Sequence, residues 1–64
     1  MTKTKRLELA TVAAEAYARE SKRGDVVRAE QLSRTIDDLV GYYRASDRKL
    51  VWPAAVRRAA GLAR

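Results

Sequence analysis

Asp37 and Asp38 are the only adjacent carboxylates in the chain, and two carboxylates acting together are the least that metal binding or acid–base work usually needs. The segment around them reads as helix, where sequence neighbours point about 100° apart, so the two cannot converge on one water or one ion. Other parts of a catalytic site are missing. There is no His, no Cys and no glycine-rich phosphate loop, and Glu15 and Glu30 each stand four residues before an arginine, Arg19 and Arg34. Pairs of that spacing make a solvated helix face. The sequence therefore predicts no enzyme, no cofactor and no metal site.

What remains for chemistry is positive charge. Lys and Arg number 14 against 8 Asp and Glu, a net charge of +6. The excess sits at the two ends: Lys3, Lys5 and Arg6 before residue 7, then Arg48, Lys49, Arg57, Arg58 and Arg64 from residue 48 onward, with no acid in either segment. All the acidic side chains fall between residues 7 and 47. Trp52 stands beside the second cluster, and a basic segment with an aromatic suits a phosphate-contacting surface or an acidic protein groove. The candidate macromolecule-binding residues are thus Lys3, Lys5, Arg6, Arg48, Lys49, Trp52, Arg57, Arg58 and Arg64, although a lone Trp in a small chain is more often core than contact.

These residues need elements to hold them. From about residue 7 to 22 good helix formers dominate, with no interior Gly or Pro, and Leu9, Val12, Ala13, Ala16 and Tyr17 recur at helical spacing as one apolar stripe. A second helix is expected over about residues 26 to 45, with Ala29, Leu32, Ile36, Leu39 and Tyr43 in the alternating three-and-four spacing of a helix that packs at a shallow angle. Its end is open, because Gly41 weakens it while the seam continues toward Leu50. Pro53 cannot sit inside that helix and instead fits the first turn of a third, about residues 53 to 63, with Val56, Ala59, Ala60 and Ala63 inward and Arg57, Arg58 and Arg64 largely outside. The expected fold is all-α, an antiparallel helical hairpin plus a short C-terminal helix.

The stretch Lys22-Arg23-Gly24-Asp25 contains the letters of an adhesion tripeptide, but every residue in it has a structural use. Two cations oppose the negative end of helix 1, Gly takes the left-handed position past its end, and Asp caps helix 2. The run GDVVRAEQL resembles the inner turn of a tetratricopeptide repeat, in which Gly-Asp opens the second helix and an Ala follows, as Ala29 does here. No second copy is present and such repeats need stacked neighbours, so the resemblance reads as convergence on hairpin geometry.

Two DNA-binding patterns fit in part. With Gly41 as the turn of a helix-turn-helix, Ile36, Val40, Tyr42 and Leu50 take apolar positions, but Asp37 falls where a small residue is wanted and Asp47 falls in the core. A basic leucine zipper is interrupted by Glu8 and Glu15.

Sixty-four residues make one small domain, expected over 7 to 64, with residues 1 to 6 as a basic flexible arm. A chain this short buries only about 60% of its unfolded surface, so self-association or a partner is the expected source of added stability. The absence of Cys fits a cytoplasmic setting, and no apolar run long enough for a signal peptide or membrane span opens the chain. Arg over Lys, much Ala and no Asn or Phe fit a GC-rich bacterial or phage genome. The functional expectation is a non-enzymatic regulatory protein whose basic ends bind a macromolecular target, nucleic acid or protein, in the transcription or nucleic-acid machinery. Two alternatives stand beside it, an inhibitor or adaptor presenting a helix face to a protein and a homo-oligomeric dimerisation module. No membrane and no small-molecule substrate is expected as partner.

Overall fold

The computed structural model describes residues 2–41 and 52–62. It is all-α, with α1 at Lys3–Arg23, α2 at Val26–Val40 and α3 at Ala54–Ala59. The two long helices form the expected hairpin, and α1 packs against both α2 and α3. Pro53 shares one end of the molecule with Leu7, while Ala60 to Leu62 share the other with Ala18 and Ser21, so α3 runs in the same direction as α1.

Helix 1 begins earlier than its apolar pattern suggests. The Thr2 hydroxyl accepts from the Lys5 N–H at 3.1 Å and the Thr2 carbonyl accepts from the Arg6 N–H at 3.0 Å, which satisfies donors that a helix start leaves open. Residues 3 to 6 are therefore the first turns of α1 and not a separate arm.

The turn after α1 forms as the sequence predicts. Gly24 lies at φ 84°, its N–H reaches the Ser21 carbonyl at 3.1 Å, and the Asp25 N–H reaches the Glu20 carbonyl at 3.0 Å, a full left-handed helix stop. The Asp25 carboxylate then accepts from the Arg28 N–H at 3.0 Å and starts α2.

Helix 2 stops at Val40, short of the expected residue 45. Gly41 adopts φ 75° and donates to the Asp37 carbonyl at 2.8 Å, closing the helix where a residue with a Cβ would be strained. The proposed continuation of the seam through Tyr43 to Leu50 lies outside the described residues. Pro53 opens α3 from the N-cap position, one residue before the first turn expected for it, and α3 ends at Ala59, because Gly61 and Leu62 donate back to Arg58 and Arg57 at 3.1 and 2.9 Å.

The core joins Ala10, Ala14 and Tyr17 of α1 to Ala29 and Ile36 of α2 and to Trp52, Val56 and Ala60. This corrects the stripe expected on α1: Leu9 is 38% exposed and Val12 62% exposed, while Ala10 and Ala14 are fully buried. Alanines on the packed face let neighbouring elements come close, and Leu9 and Val12 are turned to the flank. On α2 the core face includes Ser33 and Asp37 as well as Ile36, with Leu32 and Leu39 half-buried. That face is turned toward the C-terminal segment, where the Trp52 indole N–H donates to Asp37 Oδ1 at 2.7 Å and its ring meets Tyr17 edge to face at 5.9 Å.

Candidate functional site at the basic end

Lys3 and Arg6 are one turn apart on α1 and both exposed. With Leu7, Leu39, Val40 and Pro53 they line a groove of about 310 Å³ between the start of α1, the end of α2 and the start of α3. The early start of α1 makes this site, since a helix beginning at residue 7 would leave Lys3 and Arg6 without fixed positions. Lys5 faces another direction, 4.0 Å from Glu8. Such a contact between exposed side chains contributes little.

The second basic cluster is met only in part. The Arg57 N–H donates to the Pro53 carbonyl at 3.0 Å, so Arg57 stands one helical turn beyond the groove's proline. Arg57 is half-buried, with its Nε enclosed and without a hydrogen-bond acceptor among the described residues, which corrects its placement as largely outside. Arg58 is exposed as expected. Arg48, Lys49 and Arg64 lie outside the described residues.

Trp52 is removed from the contact set. At 2% exposure, with its N–H committed to Asp37, it is a core anchor and has no face to offer a partner. Asp37 is 1% exposed, whereas Asp38 beside it is exposed, so the two point apart as expected. Among the described residues, ion pairs join Lys5 to Glu8, Arg23 to Glu20 and Arg34 to Glu30; the expected Glu15–Arg19 pair is not formed.

Sequence reasoning missed the apolar floor of the groove. One signal was present: Thr2 is a good N-cap residue directly before Lys3, and it marks a helix start upstream of the first large apolar side chain. A second apolar surface lies at the hairpin tip, where Val26 and Val27 are 76% and 71% exposed beside Gln31 and the Glu30–Arg34 pair.

Among the described residues no group of His, Cys, Asp or Glu is placed to hold a metal ion, and no helix is long and apolar enough to cross a membrane. Comparison with protein families, with characterised proteins and with solved structures returned no match.

Proposed function

We propose that this chain is a non-enzymatic, cytoplasmic regulatory protein that occupies an anionic macromolecular surface within the transcription or nucleic-acid machinery. The observation that carries this reading is the exposed pair Lys3 and Arg6, one turn apart on α1 at the rim of one groove. Two cations fixed on one rim attract an anionic partner to that place. The hairpin is the scaffold that fixes their spacing, and Trp52 holds the C-terminal segment to it.

The test is a pull-down from bacterial lysate, with and without nuclease, using the native chain and a variant with Lys3, Arg6 and Arg58 changed to Ala. A partner captured by the native chain and absent from the variant's capture supports the reading. Equal capture by both sinks it.

A second reading, self-association or docking of another protein's helix, draws on the exposed Val26 and Val27. Sedimentation of the native chain against Val26→Ser/Val27→Ser separates the two: a dimer that this variant dissociates favours the hairpin tip as the interface.

A further inference from the structure

The groove between α1, α2 and α3 has two kinds of wall. Its floor is Leu7, Leu39, Val40 and Pro53, each half-buried, so each keeps apolar surface that the fold does not cover. Its rim is Lys3 and Arg6; among the described residues neither is in an ion pair and no carboxylate lines the groove. We infer that this groove takes a short acidic segment of a partner protein, with one bulky apolar side chain on the floor and flanking carboxylates held by Lys3 and Arg6. This rests on the reading of the basic end as the binding end, and it names the partner's chemistry.

Three features favour a peptide over a nucleic acid here. A phosphate backbone presents no aliphatic group for a floor of leucine, valine and proline. Bases held without sequence preference stack on aromatic rings, and among the described residues none that lines the groove is aromatic. The volume, about 310 Å³, lies at the small end of ligand sites and suits one or two side chains. The helix dipoles do not by themselves decide the sign of the ligand, because ends of both signs meet at the groove, the starts of α1 and of the short α3 and the end of α2. The preference for an anion is set by the Lys3 and Arg6 side chains.

The experiment is panning of a random-peptide phage library on the native chain, then titration of a synthetic peptide of the recovered consensus. Leu7→Ser, Arg6→Glu and Lys3→Glu variants are each titrated beside it and checked for native helicity by circular dichroism. The inference expects recovered peptides rich in Asp or Glu around a Leu, Ile or Phe, and binding weakened roughly tenfold or more by each charge reversal, since like charges brought together are costly. Leu7→Ser should weaken binding to a similar degree, while a consensus peptide with its apolar residue changed to Gly should no longer distinguish Leu7→Ser from native. Recovered peptides without acid, or unchanged binding by the folded variants, overturn it. If no peptide is enriched but duplex DNA binds in a salt-dependent way that Arg6→Glu abolishes, the peptide inference falls and the basic-end reading stands. Binding of neither probe removes both.

Discussion

Trp52 donates its indole N–H to Asp37 Oδ1 at 2.7 Å, with the tryptophan 2% and the aspartate 1% exposed. This contact, fifteen residues apart in sequence, ties the residue before Pro53 to α2, while α3 itself packs on α1 through Val56 and Ala60. Removing the donor from a buried acceptor costs about 1 to 3 kcal/mol. The contact therefore matters in a domain with a small core.

Trp52→Phe keeps most of the ring volume and removes the donor, so it should cost about 1 to 3 kcal/mol, and Trp52→Ala, which also opens a cavity, about 3 to 5 kcal/mol. Urea unfolding followed by circular dichroism measures both. Trp52 is the only tryptophan, so its fluorescence should also be blue-shifted and shielded from acrylamide in the native chain. An emission typical of water-exposed indole would contradict its burial.

Ile36 is completely buried between the helices. Ile36→Ala should destabilise by about 2 to 5 kcal/mol, enough to unfold much of the population at ambient temperature. Cooperative unfolding at native stability would place Ile36 outside the core.

Gly24→Ala isolates backbone strain from crowding. An added Cβ would meet nothing within 4 Å, yet φ is 84°, so the whole cost comes from forcing an L residue into the left-handed region, about 1 kcal/mol. An unchanged melting temperature would argue against this helix stop.

Val12→Ser should change stability by no more than about 0.5 kcal/mol, because Val12 is 62% exposed. A loss of several kcal/mol would restore the stripe that spacing alone suggests and would rotate α1.

The helices and the turn at Gly24 were legible in the sequence because they depend on local rules: propensity, caps and a glycine where φ must be positive. The inward face of α1 was legible only in part. Tyr17 and Ala13 of the expected stripe do meet the core, but Leu9 and Val12 are larger than Ala10 and Ala14, so counting apolar bulk misses the small residues that close packing selects. Asp37 was unreadable for a related reason, since a donor that meets its buried carboxylate, the Trp52 indole N–H, lies fifteen residues away. The candidate site was legible as charge and not as shape. Lys3 and Arg6 were identified, but their apolar companions Leu39, Val40 and Pro53 come from other parts of the chain and meet them only in three dimensions.

The central claim is that the basic end of the molecule is its binding end. Equilibrium binding of the native chain and of Lys3→Ala/Arg6→Ala to polyglutamate and to duplex DNA, across a salt series, tests it most directly. The claim predicts that the native chain binds one of these polyanions with affinity that falls as salt rises. The variant should bind more weakly and with a flatter dependence. If DNA is the ligand, the slope of log affinity against log salt should flatten by about 0.9 for each phosphate that the variant no longer neutralises. A variant with the same affinity and slope as the native chain, or a native chain that binds neither polyanion, would contradict it.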